Sequence, residues 1–178
     1  MQISYAERVE DTQADKDLMA QIAKCDPAVR AYALEEGYKN LKGRMESQAA
    51  AASQASTTLA LLLAGIGGTM GYAVRVIEPA APASARGAAV LCAYFTILAG
   101  VIVWKCLNLK ASPVLHNEPE NLIIPGATVE QVQAGEILNL QRRIDDQKRL
   151  LASRAKWLNA VRLAALASPL LFAAGAFA

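Results

Sequence analysis

One histidine, His116, and three cysteines, Cys25, Cys92 and Cys106, are all that 178 residues offer toward a metal site or a disulfide framework. An odd number of cysteines without paired spacing excludes a disulfide scaffold. A metal site wants two or more His, Cys or carboxylate ligands at workable spacing, and the sequence shows no such set. There is no G-x-S-x-G, no Walker motif and no carboxylate pair in the apolar stretches. The run Gly65-Ile66-Gly67-Gly68-Thr69-Met70-Gly71 imitates a phosphate-binding loop but lacks the Lys-Ser/Thr that would complete one. His116 lies in a proline-punctuated loop beside Asn117 and Glu118, where a lone imidazole is ordinarily solvated. The expectation is a protein that is not an enzyme and uses no cofactor and no metal.

Charge is also scarce, at 19% of residues, and aromatics reach only 6%, whereas 54% are hydrophobic. Globular domains carry about 25% charged residues, so this chain is shifted toward oil. That much apolar surface with a net charge of +2 excludes a disordered chain. The excess is concentrated in three stretches. Thr57–Ile77 carries one charge, Arg75, while Gly87–Trp104 and Leu163–Ala178 carry none. A membrane-crossing helix needs roughly 20 apolar residues. The first stretch is long enough, the second slightly short, and the third spans only if it begins near Trp157 with Arg162 snorkelling at its edge. Helices apolar all round need apolar surroundings, and little polar helix remains to wrap three of them. The sequence therefore predicts an all-α membrane protein with three transmembrane helices and a lipid bilayer as its first partner.

Charge sets the expected topology. Seven Lys/Arg precede Thr57 (Arg8, Lys16, Lys24, Arg30, Lys39, Lys42, Arg44), and eight lie between the second and third stretches (Lys105, Lys110, Arg142, Arg143, Lys148, Arg149, Arg154, Lys156). The connector 78–86 holds only Arg86. The positive-inside rule then places the N-terminus and segment 105–156 in the cytoplasm of a bacterial inner membrane, with the C-terminus periplasmic. Trp104 before Lys105 and Trp157 after Lys156 fit the aromatic belt at the cytoplasmic border, with Arg162 as a third anchor. The basic cluster Arg142-Arg143, Lys148-Arg149, Arg154-Lys156 is interrupted by Asp145 and Asp146, and its place before a span favours anionic lipid over nucleic acid.

Four segments are expected: 1–56, a cytoplasmic helical arm and stalk; 57–104, a two-helix membrane hairpin; 105–157, a cytoplasmic loop and stalk helix; and 158–178, the third membrane helix. Residues 1–24 read as a short helix or arm. Asp26-Pro27 is a helix start, acid at the cap and proline at the first position. Leu34, Tyr38, Leu41 and Met45 then recur at helical spacing, although Gly37 and Gly43 each cost about 1 kcal/mol relative to alanine. No proline intervenes before Pro79, so one helix is expected over 27–77, on the order of 75 Å long. Pro79 to Pro82 and Ser84 to Gly87 read as a tight outer turn. The stretch with Ser112-Pro113, Glu118-Pro119 and Pro125-Gly126 reads as an irregular loop. Thr128-Val129-Glu130-Gln131 is a capping box opening a stalk helix with Ile137, Leu140, Ile144, Leu151 and Leu158 near heptad spacing, broken by Gln147 and Arg154. It continues into the third span with Pro169 as the only interruption.

Within the first span, Ala60, Ala64, Gly67, Gly68 and Gly71 form small-xxx-small pairs, and Ala160, Ala164 and Ser168 repeat the pattern in the third. Such faces either pack the three helices within one chain or build a homo-oligomer. The number of faces exceeds what three helices need, which favours oligomerisation. Hydroxyls at Thr57, Thr58, Thr69, Thr96 and Ser168, with Tyr72 and Arg75, are too sparse for a coupled transporter. They are enough to line an oligomeric pore.

The order of helical arm, membrane hairpin, a loop running from Ser112-Pro113 to Asn117-Glu118-Pro119, then a long helix with Glu136, Arg143-Ile144 and Asn159 leading into a last apolar segment resembles small bacterial transmembrane effectors of anti-phage defence, the SLATT-type and Pycsar-type effectors. No cyclic-nucleotide pocket is evident in this sequence. The resemblance implies a protein that oligomerises and permeabilises or depolarises the inner membrane once a cytoplasmic signalling partner or ligand acts on its stalk. The competing expectation is a non-enzymatic scaffold or accessory subunit that recruits a partner through the same helices.

Overall fold

The computed structural model describes residues 13–78, 82–108, 115–117, 122–123 and 125–177. These form helices and turns in the order α1 (Gln13–Ala23), α2 (Pro27–Ala73), a 3₁₀ turn (Val74–Ile77), α3 (Ala83–Ile102), a π-helical turn (Val103–Leu107), α4 (Val129–Ala165) and α5 (Ser168–Phe177). The described residues are thus all-α. Two stretches, Pro27–Ile77 and Ala83–Leu107, are long and apolar enough to cross a membrane. The pair α4 and α5, bent by 44° at its break, makes a third if it counts as one span.

Local chemistry explains where the helices begin. The Asp26 carboxylate accepts from the Ala28 N–H at 2.8 Å, capping α2 ahead of Pro27, whose missing N–H costs nothing there. At α4 the capping box is reciprocal. Gln131 N–H donates to Thr128 Oγ1 at 3.3 Å, and Thr128 N–H donates to Gln131 Oε1 at 3.0 Å. The turn before it uses Pro125 followed by Gly126 at φ +81°, a backbone angle that favours glycine. Around the loop, Leu115–Asn117 and Leu122–Ile123 take bends and turns; Ser112-Pro113 and Glu118-Pro119 lie outside the described residues, as do residues 1–12 of the arm.

Two compact units share the chain: Met1–Arg44 with Ser112–Gln147, and Met45–Ala111 with Lys148–Ala178. Both divisions fall inside a helix, so α2 and α4 each contribute to both units. In the first unit Ile22, Leu41, Ala134, Leu138 and Leu140 form the buried apolar set. The expected faces are the ones removed from water: Leu41 and Leu140 are fully buried, and Leu34, Tyr38, Met45, Ile137, Ile144 and Leu151 are partly so. Gln147, expected to break the α4 seam, is fully buried on it instead. Gly37 has a packing reason, because a β-carbon there would collide with the Leu140 side chain.

The second unit is built around Ala55, Leu62, Leu98, Ala99, Ile102, Cys106, Leu158 and Val161, drawn from α2, α3, α4 and the π turn. Here the structure corrects two expectations. Ser84 to Gly87 is not part of the outer turn: α3 starts at Ala83, directly after Pro82 (φ −68°). Gly87 and Gly175 are buried where α3 and α5 meet, and a β-carbon on Gly87 would come within 2.7 Å of the Phe172 carbonyl oxygen. That close approach requires glycine at both positions, and the helix from Ala83 continues through the π turn to Leu107, 25 residues and enough to span. Nor is the third stretch one helix. It stops at Ala165 and resumes at Ser168, with Leu166 and Ala167 bonded back to Leu163 and Ala164. Pro169 is the cause, since its ring clashes with the carbonyl four residues earlier, at Ala165, and it has no N–H to offer that carbonyl. Tyr94 Oη donates to the Ala164 carbonyl at 2.7 Å and serves the broken end.

The two α2 glycines of the first unit should respond oppositely to alanine. A β-carbon at Gly43 meets nothing within 4 Å, so Gly43→Ala is expected to stabilise by about 0.5–1 kcal/mol through backbone entropy. Gly37→Ala must displace buried Leu140 and is expected to cost about 1–3 kcal/mol from overpacking, against the same entropic gain. Thermal loss of helical circular dichroism in detergent checks both; equal shifts for the two variants would contradict this packing.

Candidate functional site

The densest polar arrangement among the described residues of the first unit centres on Glu136, a buried carboxylate of α4. Tyr38 Oη donates to its Oε1 at 2.8 Å, and Arg143 Nη2 donates to the same oxygen at 2.8 Å. The Asn117 amide donates to Oε2. Arg143 also reaches the loop, donating through Nη1 to the Leu115 carbonyl at 3.2 Å, and His116 lies on the Tyr38 ring with centroids 4.7 Å apart. The ion pair is largely dehydrated, with side-chain exposures of 12% for Arg143 and 7% for Glu136. Removing one partner of such a pair strands the other charge, at about 3–5 kcal/mol. A second pair, Arg142 to Asp15 at 2.9 Å, ties α4 to α1.

The cluster fastens α2, α4 and the loop to one another. Both Glu136 oxygens are engaged by donors, so the carboxylate is not presented as a free base. Burial first, then donation to the Glu136 carboxylate and the proximity of its charge, push the Tyr38 phenol up to about 12, while Arg143 works weakly in the opposite direction. The phenol therefore holds its proton throughout the physiological range. His116 is exposed apart from its ring contact. Among the described residues no three His, Cys, Asp or Glu side chains are grouped to hold a metal.

Sequence reasoning had two of these residues within reach. Glu136 and Arg143 are seven apart on one helical face, a spacing that brings them close two turns apart. Asn117, Glu136 and Arg143, three of the positions that carry the anti-phage effector resemblance, meet here. Tyr38 was expected only as part of an apolar face; its partner is 98 residues away, and no local signal marks it.

In the second unit three of the residues expected to anchor at a membrane border come together. Lys105 Nζ sits 4.6 Å from the Trp104 ring centroid and 5.4 Å from that of Trp157, joining both tryptophans around one cation. Lys156 is exposed beside them in sequence. Arg162, expected to snorkel, instead donates through Nε to Thr58 Oγ1 at 3.3 Å and through Nη1 to Gln54 Oε1 at 3.4 Å, linking α4 to α2. The span hydroxyls turn inward on their own helices: Thr57, Thr58, Thr69 and Thr96 each donate to the carbonyl four residues back.

The small-residue set divides. Ala164 packs against the core and Ser168 is partly buried, whereas Ala60, Ala64, Gly67, Gly68 and Gly71 are all exposed. A β-carbon on any of those three glycines would meet nothing within 4 Å. Close helix approach inside the chain is made by Gly65 against Phe95, Gly87 against Phe172 and Gly175 against Val90. Among the described residues nothing packs on this α2 face. No protein family, curated protein or solved structure matches this chain.

The Tyr38 fastening should leave a pH signature. A phenol whose folded-state pKa is raised adds stability that is complete below pH 10 and is lost as pH rises toward 12. Tyr38→Phe should cost about 1.5–3 kcal/mol at neutral pH, the worth of a hydrogen bond to a charged group. The gap between wild type and variant should close from pH 10 to 12 in detergent unfolding followed by circular dichroism; a gap that stays constant with pH would contradict the arrangement.

Proposed function

We propose that this protein is a membrane effector: it inserts through the apolar parts of α2, α3 and the α4–α5 pair, assembles with copies of itself, and permeabilises or depolarises a bacterial inner membrane when a cytoplasmic signal acts on its first unit. The observation that carries the reading is the apolar part of α2. Only 6% of its most apolar window is buried inside the protein, and Leu61, Leu63, Met70 and Ile77 are largely exposed there. Lipid is the apolar solvent that such a helix requires.

Three further observations support the finer parts. Lys105 between Trp104 and Trp157 is the composition of a membrane–water border, and with the Lys/Arg distribution it supports a cytoplasmic first unit. The α2 face of Ala60, Ala64, Gly67, Gly68 and Gly71 supports self-association, because it permits close backbone approach and is unoccupied within the chain. Helices α2 and α4 contribute to both units. A change at the Tyr38–Glu136–Arg143 cluster therefore acts on backbone that continues without interruption, along α2, into the apolar stretch. A role in anti-phage defence rests on the resemblance of the layout.

Induced expression in a bacterial host carrying a voltage-sensitive dye tests the proposal. Collapse of the membrane potential is expected, together with a ladder of homo-oligomers on crosslinking. Gly67→Leu and Gly71→Leu, which disturb no contact inside the chain, should restore the potential and shorten the ladder. Unchanged potential and growth at full expression would overturn the effector reading. Crosslinking to a stoichiometric foreign protein instead would replace it with the scaffold reading.

A further inference from the structure

The first unit contains a cavity of about 220 Å³ between α1, the start of α2 and α4. Its walls are mostly apolar, with Leu18 and Ile22 from α1, Ala33 from α2 and Ile137 from α4, and Cys25 at the α1–α2 junction. Set into them is Arg30, only 7% exposed. Its Nε is buried without a hydrogen-bond partner, and no carboxylate of the described residues pairs with it. The contrast within the same unit is direct. Arg143 is held by Glu136 and a carbonyl, and Arg142 by Asp15. Arg30 is the only arginine among the cavity's lining residues, and it alone of these three has no counter-ion among the described residues.

A guanidinium cannot discharge by losing its proton, and a buried charge without a partner is strongly disfavoured. An anion would supply the partner that Arg30 lacks among the described residues. One cation calls for one negative charge, which a carboxylate supplies in the fork geometry that matches guanidinium; a dianion would remain half-compensated. The apolar walls require the rest of the molecule to be apolar. At about 30 Å³ per water-sized group, the cavity holds roughly seven such groups. We propose that this cavity binds a short-chain aliphatic carboxylate of about six carbons, its carboxylate on Arg30 and its chain between Ile22, Ala33 and Ile137. The site stands independently of whether the spans depolarise a membrane.

Isothermal titration of the full chain in lipid nanodiscs with hexanoate tests this, with protein-free nanodiscs as the blank. One saturable site per chain is expected, at least tenfold weaker in Arg30→Gln and retained within severalfold in Arg30→Lys. In the wild type 1-hexanol, which keeps the chain and lacks the charge, should bind at least tenfold more weakly; this comparison needs no variant and stands even if Arg30→Gln fails to fold. Hexanoate should also slow maleimide labelling of Cys25, read as its peptide by mass spectrometry, while 1-hexanol should not. Heat equal to the blank, equal affinity for 1-hexanol, or displacement of hexanoate by an equal concentration of inorganic phosphate would each overturn the assignment.

Discussion

Most of the surface of the apolar half of α2 is left uncovered by the described residues. Its most apolar window is 6% buried, so the hydrophobic term that ordinarily holds a helix in a fold is missing there and has to be supplied from outside. The second unit is arranged around that constraint. Its own core, from Ala55 and Leu62 to Leu158 and Val161, takes one side of α2, and Arg162 secures the same side through Thr58 and Gln54. The opposite side carries leucines together with alanine and glycine. In water such a surface would be an aggregation site; in lipid it is ordinary.

The first unit follows a different logic. It is rich in charge, and its specificity comes from a few desolvated polar contacts. Glu136 draws together Tyr38 of α2, Arg143 of α4 and Asn117 of the loop. A buried ion pair of this kind adds little net stability over an apolar replacement, but it is severe toward any rearrangement that separates its members. That asymmetry suits a unit that holds one packing until something competes for its partners.

Much of this architecture was legible in the sequence, because it is written in local chemistry. Asp26-Pro27 and Thr128 to Gln131 announce helix starts through the hydrogen bonds that their own side chains make. The 3.6-residue period of Leu34, Tyr38, Leu41 and Met45 marks a face that is removed from water. Two of the failures come from tertiary proximity and one from the reach of a proline. Ser84 to Gly87 has the composition of a turn but is helix, and Gly87 lies so close to Phe172, far along the chain, that no β-carbon fits. Gln147 has the chemistry of a seam-breaker and lies fully buried on the seam. The break at Leu166-Ala167 precedes the proline that causes it, since proline disrupts the turn before its own position. In the candidate site Glu136 and Arg143 share a helix and could be paired by spacing, but the third member, Tyr38, lies 98 residues from Glu136 and has no local signature.

The account stands or falls on lipid as the solvent of α2, α3 and the α4–α5 pair. Alkaline carbonate extraction of membranes from cells expressing the untagged chain addresses this directly. Retention in the pellet, with release only by detergent, is the result the account requires. Recovery of folded, monodisperse protein from a detergent-free high-speed supernatant would contradict it.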